Sequence, residues 1–343
     1  MPASLTVGAR NTRAGTEDRA QTAGTVRRAL ARTLRQDLGQ VDFGLRRFRL
    51  RNGPAREVLE HSGQAFLEGF NAALARPVGD RLADAIDDVG REFRGFAYEG
   101  AGMACGLLDL LGWTGGRNVR ALLAGPATLY PHLVHVGVGW AYARLRLRPD
   151  WGKPLLRDPM LKWLAWDGFG FHQGFFHSDR VVGGQGVELG LTANQRSIRD
   201  QGLGRSLWFH ECADPEGIAL RIGEFQTRRR CDLWSGIGLA ATYAGGAQQS
   251  ELESLRTLSG EYQADLAQGC SFACEARRTS GIVPGHTEIA AAVLAGASAE
   301  LAGSWARMAL TTPGSIAVTV EHYQQWRAGI RQQWSSHRER SQQ

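Results

Sequence analysis

NGPAREVLEHSGQAFLEGFNAAL, residues 52–74, decides the fold class. Val58, Leu59, Ser62, Ala65, Phe66, Gly69, Phe70, Ala73 and Leu74 recur three and four residues apart, so one stripe is small or apolar and the opposite face is polar. Asn52-Gly53-Pro54 marks the start, because proline at the first helical position has its φ preset and lacks an N–H that would go unpaired there. A helix of about six turns is predicted.

The same periodicity returns at Asp80 to Val89, Phe96 to Leu111, Tyr130 to Leu145, Met160 to His177, Arg196 to Ala213 and Asp232 to Tyr243. It continues at Glu251 to Leu258, Tyr262 to Arg278, Thr287 to Leu294, Ala299 to Leu310 and Val320 to Trp334. Gly115-Gly116, Gly245-Gly246, Gly285 and Thr312-Pro313-Gly314 punctuate these segments, and Ser250 with Glu253 has capping-box spacing. The one segment with strand character is RVVGGQGVELGL at 180–191, which reads as a short glycine-rich hairpin or an irregular excursion. As the longest candidate loop it is also a place to look for function.

Glycine decides how the helices meet. The chain holds 44 of them, although each one inside a helix costs about 1 kcal/mol relative to alanine. Several helical segments share a core around one: LEGFNAAL (Gly69), YEGAGMACG (Gly100), HVGVGWAYA (Gly137), HQGFFH (Gly174), DQGLGRSL (Gly202), SGIGLAATYA (Gly236) and AQGCSFACEA (Gly269). Their spacings of 31, 37, 37, 28, 34 and 33 residues fall in the range of stacked helix pairs. Without a Cβ, either another helix or a flat ligand can approach the backbone, and the spacing admits both. The recurring G-x-G is not a dinucleotide fingerprint, since Gly137-Val138-Gly139, Gly202-Leu203-Gly204 and Gly236-Ile237-Gly238 lack the third glycine and the preceding strand. The expectation is an all-α protein, a right-handed stack of antiparallel helix pairs in a tetratricopeptide-like helical repeat. Residues 1–42 form a flexible basic arm with a short helix at Val26 to Leu38, 43–335 a single domain, and 336–343 a disordered tail.

Composition excludes several classes. With 43% apolar and 22% charged residues the chain can bury a core. No window reaches the roughly 18 consecutive apolar residues that span a bilayer, and the N-terminus lacks a secretory apolar stretch. A cytoplasmic protein is expected, meeting the inner face of the membrane only through a partner. Cys105, Cys212, Cys231, Cys270 and Cys274 form no metal or redox spacing. Residues 1–57 hold twelve arginines against five acids, so the net charge of +6 belongs to the arm. It lacks the interleaved aromatics of a single-strand binder, and no nucleic-acid partner is expected. A homo-oligomer remains open.

The chemistry-bearing residues are few. His132 and His135, three apart, share a helix face and are the only pair suited to one metal, but two histidines make half a zinc site. His172 and His177 in DGFGFHQGFFH diverge on a helix. His210-Glu211-Cys212 with Asp214 follows an apolar run and reads either as an acid–base group or as the polar end of a helix. Glu99 stands alone among apolar and small residues; if buried it needs an arginine, and Arg205 and Arg144 are comparably placed. Trp140, Trp163, Trp166, Trp208, Trp234, Tyr98, Phe169, Phe171, Phe175 and Phe176 give the middle of the chain an aromatic bias that suits an extended conjugated ligand.

FAYEGAGMACGLLDLL, HVGVGWAYARL, DGFGFHQGFFH, DQGLGRSLWF, RRCDLWSGIGLAATYAGG, LAQGCSFACEARR and HTEIA, in this order from about Phe43 to Trp334, resemble the blocks of the UnbL-type proteins of enediyne antibiotic biosynthesis. Cys212 stands where that pattern has glycine. The resemblance implies an accessory factor acting after polyketide synthesis on a polyene or enediyne-type small molecule, together with companion cassette proteins, one of them a membrane protein. It supplies no agreed catalytic residues and no cofactor. The residues themselves nominate Glu99, His172, His177 and Arg205 for catalysis, and His135, Trp140, Phe176, Trp208, Asp232, Trp234 and His286 for ligand binding, as polar or aromatic groups in the helical blocks. Two other readings are a non-catalytic scaffold or carrier, and a metal- or haem-dependent oxidase built on the clustered histidines.

Overall fold

The computed structural model describes residue 29, residues 31–310 and residues 318–342. The arm at 1–24, the first part of the Val26 to Leu38 helix and the turn at Thr312-Pro313-Gly314 lie outside them. Every regular element among the described residues is helical. After one-turn pieces at Leu38–Val41 and Phe43–Arg46 come α1 (Pro54–Ala75), α2 (Asp80–Asp87), α3 (Arg94–Leu111), α4 (Arg117–Ala124), α5 (Pro131–Arg144), α6 (Leu164–Phe176) and α7 (Ala193–His210). Then follow α8 (Pro215–Gly223), α9 (Thr227–Ala244), α10 (Gln249–Leu258), α11 (Gln263–Thr279), α12 (Gly285–Ala290, continued by a π turn), α13 (Ala299–Ala309) and α14 (Val320–Ser341).

The long helices α1, α3, α5, α6, α7, α9 and α11 pack each against the next in chain order. Glycines make these contacts close. A Cβ on Gly137 of α5 would stand 2.0 Å from the Glu99 carbonyl oxygen of α3, and one on Gly202 of α7 would stand 1.8 Å from that of Asp167 in α6. The arrangement is reciprocal, each glycine meeting the carbonyl three residues before its partner, at six successive crossings: Gly69 with Gly100, Gly102 with Gly137, Gly139 with Gly168, Gly170 with Gly202, Gly204 with Gly236, and Gly238 with Gly269. In each G-x-G the first glycine therefore faces the preceding long helix and the second the following one. These positions are helix crossings and not a ligand groove. Gly174 differs from its expected role: it meets the Ser206 side chain, and Gly168 and Gly170 make the α6 crossings.

The row curls on itself. α9 touches α1, Arg49 N donates to the His210 carbonyl at 2.8 Å, Arg277 Nη1 donates to the Glu92 carbonyl at 2.7 Å, and Arg51 pairs with Glu251. That curvature turns side chains from distant helices toward one interior.

Several expectations need correction. The hairpin at 180–191 does not form: Asp179–Gly183 is a π turn, and the carbonyls of Gln185 and Gly186 accept hydrogen bonds from the buried Arg229 and Arg199 at 3.1 and 2.9 Å, not from a second strand. The capping box of α10 is Gln248 with Glu251, two residues before the expected one. The ordered body begins before Phe43, since Gln36 N donates to Asn71 Oδ1 at 3.0 Å and Val41 is buried. At the other end α14 runs through Ser341, so 336–341 is helix and not tail. Cys212 and Ala213 adopt left-handed backbone, φ 50° and 58°, the region that favours the glycine of the resembling pattern.

Candidate functional site

A chain of ion-paired and hydrogen-bonded polar side chains crosses the apolar interior. On α3, Glu99 accepts a hydrogen bond from Trp140 Nε1 of α5 at 3.1 Å. Its other oxygen lies 3.7 Å from Arg205 Nη2 of α7. Arg205 Nη1 donates to Asp167 Oδ1 of α6 at 2.6 Å, and Gln201 Nε2 donates to Asp167 Oδ2 at 2.7 Å. Ser235 Oγ on α9 lies 3.1 Å from Gln201 Oε1 and 2.9 Å from Gln268 Oε1 of α11. Arg327 of α14 completes the chain, donating to Gln268 Oε1 at 3.1 Å and to Asp232 Oδ1 at 2.8 Å, while Ser197 Oγ donates to the same Asp232 oxygen at 2.6 Å. Glu99, Asp167, Gln201, Ser235, Gln268 and Arg327 are each at most 1% exposed. Charges at that depth persist only when paired and hydrogen-bonded.

The ionic centre sits between two small cavities. One, of about 30 Å³, is lined by Glu99, Trp140, Phe66, Phe171, Phe175 and Phe176 among others, with Val41 across it. Trp140 anchors its aromatic wall, its ring 4.5 Å from Phe66, 4.9 Å from Phe171, 5.5 Å from His172 and 6.0 Å from Phe176. The Arg205 guanidinium lies 4.6 Å over the Phe171 ring, a geometry in which the ring face attracts the cation. The second cavity, of about 40 Å³, lies by Asp167, Arg205, His132, Tyr243 and Glu275. Each holds one or two waters at most.

Electrostatics single out Glu99, which lines the aromatic cavity, and His172, which lines neither cavity but packs on Trp140 and Phe176. Burial raises the Glu99 carboxyl to about 7 against the pull of Arg205, with Asp167 adding to the rise. Burial depresses His172 to about 3, helped by His177 and Arg144, so its imidazole is neutral. Both ring nitrogens of His172 and the Oε2 atom of Glu99 have no hydrogen-bond partner among the described residues. An enclosed polar atom without a partner costs about 1–3 kcal/mol, and such groups concentrate where chemistry or binding occurs.

Of the nominated residues, the structure brings together Glu99, Arg205, Trp140, His172 and Phe176. It is Arg205 that meets Glu99; Arg144 is exposed. His177 is exposed at the edge, its ring 6.0 Å from that of His172. Asp232 ends the polar chain on the far side. His135, Trp208, Trp234 and His286 line neither cavity. His135 Nδ1 bonds the Pro131 carbonyl at 2.6 Å, Trp208 Nε1 donates to the Gly245 carbonyl at 2.9 Å, and His286 Nε2 lies 3.2 Å from the Tyr243 carbonyl. No group of three or more His, Cys, Asp or Glu among the described residues is arranged to hold a metal ion, so His132 and His135 lack a third donor. Glu211 closes the end of α7: burial would raise its pKa, but His210 and Arg221 outweigh burial and hold it at about 2. The members that sequence reasoning passed over are Asp167, Ser197, Gln201, Ser235, Gln268 and Arg327. Asp167 carried the same signal as Glu99, a lone acid in the apolar run LAWDGFGF.

The fold and interior define an all-helical protein with a buried ionic chain and an aromatic cavity, and no single helix among the described residues is long and apolar enough to cross a membrane. The chain belongs to the family described as "Protein of unknown function (DUF1702)", which it matches over residues 22–334. Comparison with curated proteins and with solved structures finds no match.

Proposed function

We propose that this protein is an accessory factor of enediyne natural-product biosynthesis that binds a polyene or partly processed enediyne intermediate against the aromatic wall around Trp140 and helps convert it. The observation that carries the reading is that Trp140 contacts both Glu99, a carboxyl held near neutrality whose second oxygen has no hydrogen bond, and His172, a neutral imidazole with both nitrogens unbonded. The carboxyl, titrating near 7, can exchange a proton with a bound molecule at neutral pH, while the imidazole, held neutral, can offer hydrogen bonds but is too weak a base to take up a proton there. The aromatic faces suit a flat conjugated chain. Arg46, whose Nε is enclosed without a partner and whose guanidinium lies 5.0 Å over Phe176, supplies a cation for an acidic end of such a chain. Binding requires the lining side chains to move, because the cavity is far below the several hundred Å³ of an ordinary ligand site. The glycine-crossed helices serve this reading as a helical-repeat array whose companions from the same biosynthetic cassette dock on its outer faces.

That small cavity favours a second reading, a non-catalytic scaffold that docks partner proteins. Titration of the purified protein with a synthetic linear polyene, followed by quenching of tryptophan fluorescence, distinguishes the two, with Glu99→Gln and His172→Phe assayed for product in a producing strain. Saturable quenching with product lost in folded variants supports binding and conversion. Absence of quenching with full product in both variants leaves the scaffold.

A further inference from the structure

Away from the polar chain, two tryptophans stand on the surface where burial would be the rule. Trp113 is 78% and Trp151 42% exposed, their ring centroids 5.8 Å apart, and Leu111 beside them is 41% exposed. Large aromatic surface left in water marks an interaction site. The loop that presents Trp113 is built rather than slack. The buried Asp109 carboxylate accepts from Thr114 Oγ1, from Asn118 N at 3.0 Å, from Asn118 Nδ2 at 2.7 Å and from Val119 N at 2.9 Å. Trp113 itself is held in left-handed backbone, φ 51°. The loop carrying Trp151 is fixed against it: a Cβ on Gly116 would meet the Leu155 carbonyl oxygen at 2.6 Å.

Charge around this pair is net positive. Arg117, Lys153 and Arg157 are exposed on the same two loops, Arg120 donates to the Gly115 carbonyl at 2.5 Å, and Lys162 follows at the end of the second loop. Lys153 and Lys162 are the only lysines of the chain. The acids there are Asp109, consumed in holding the loop, Asp150, paired with Arg148 at 2.9 Å, and Asp158, which accepts from Met160 N at 2.9 Å. Indole rings seat at the boundary between lipid headgroups and hydrocarbon, and flanking cations attract an anionic leaflet.

We propose that the face formed by the 111–117 and 148–162 loops docks directly on an anionic lipid bilayer, with Trp113 and Trp151 inserted at headgroup depth. A hydrophobic polyene would then be collected from, or delivered to, the membrane, but the docking stands without the ligand reading above. The test is co-sedimentation of the full chain with vesicles of phosphatidylcholine containing about one-third phosphatidylglycerol, compared with pure phosphatidylcholine. Expected are binding to the anionic vesicles only, weakened by salt, and a loss of about tenfold or more in partitioning for Trp113→Ala/Trp151→Ala and for Lys153→Glu/Arg157→Glu. All four side chains are exposed, so folded variants are expected, and circular dichroism with analytical ultracentrifugation verifies this. Three results overturn the proposal: no sedimentation with anionic vesicles; undiminished sedimentation of the tryptophan variant, which would assign binding to the basic segment before residue 29; or loss of a self-associated species in that variant without any lipid binding by the parent, which would make the face a contact between copies.

Discussion

Trp140 Nε1 donates to Glu99 Oε1 at 3.1 Å, and neither side chain exceeds 4% exposure. An indole N–H serves a carboxylate and a carboxylic acid alike, so the bond persists while Glu99 changes charge. The titration therefore belongs to the second oxygen, which faces Arg205 and has no hydrogen bond of its own.

Glu99→Gln tests this through pH. The folded carboxyl titrates near 7 against about 4.3 in an unfolded chain. A raised folded pKa means stability fully present below pH 4.3 and lost as pH rises through 7, amounting to about 4 kcal/mol for the neutral-to-charged change. Between pH 4.5 and 7.5 urea unfolding should show the parent losing stability relative to the Gln variant, a difference that cancels Glu275, which burial also raises to about 7, and the buried histidines, which act in the opposite direction.

His172 has the opposite sign. Its folded pKa near 3 lies below the usual 6.5, so the stability it contributes is present above pH 6.5 and lost as pH falls toward 3. His172→Phe keeps an aromatic ring against Trp140 and Phe176 and removes two unpaired nitrogens. Thermal unfolding at pH 7 should show the variant stabilised by about 1–3 kcal/mol, with a shallower loss in acid. A gain in stability joined to loss of product would identify the imidazole as functional.

Asp167→Ala should be among the most damaging single changes. It leaves Arg205 with Glu99, at 3.7 Å, as its one remaining carboxylate partner and strips Gln201 Nε2 of its acceptor. Breaking a buried ion pair from one side costs about 3–5 kcal/mol, whereas Asp167→Leu combined with Arg205→Met should recover much of it. Chemical denaturation of the three proteins measures the difference.

Gly137→Ala and Gly202→Ala reverse an ordinary rule. In a solvated helix the change stabilises by about 1 kcal/mol; here the new methyl would stand 2.0 and 1.8 Å from a neighbouring carbonyl oxygen. Both variants should be destabilised by several kcal/mol or fail to fold, as overpacking at backbone cannot be relieved by a rotamer. Gly223→Ala, with open space around it, is the control and should be neutral or slightly stabilising in the same melts.

Helical periodicity made most long helices legible because their inward stripes are apolar. It began α9 at Asp232 and missed Thr227 to Cys231, whose polar residues break the apolar stripe: Arg229 is buried there, donating to Asp200 Oδ2 at 2.6 Å. It also missed the short helices α4 and α8, although Asp214 before Pro215 carried a start signal and Asp214 caps Gly217 N at 3.1 Å. Glu99 and Arg205 were readable as polar residues in apolar blocks. Arg327 was not, because α14 is polar along most of its length and its one inward arginine is defined only by the helices it meets. Distances between α3 and α7 depend on the curl of the row, which no local pattern encodes.

The contacts that fasten α9 to α1, Arg49 to the end of α7 and Arg277 to the segment before α3 tie early parts of the chain to late ones. An open solenoid can be shortened at either end and its remaining units stay folded. Here the early segments cover α7, α9 and α11, so removing the chain through the first long helix should also expose those later helices, and unfolding should proceed as one transition instead of fraying inward from a terminus.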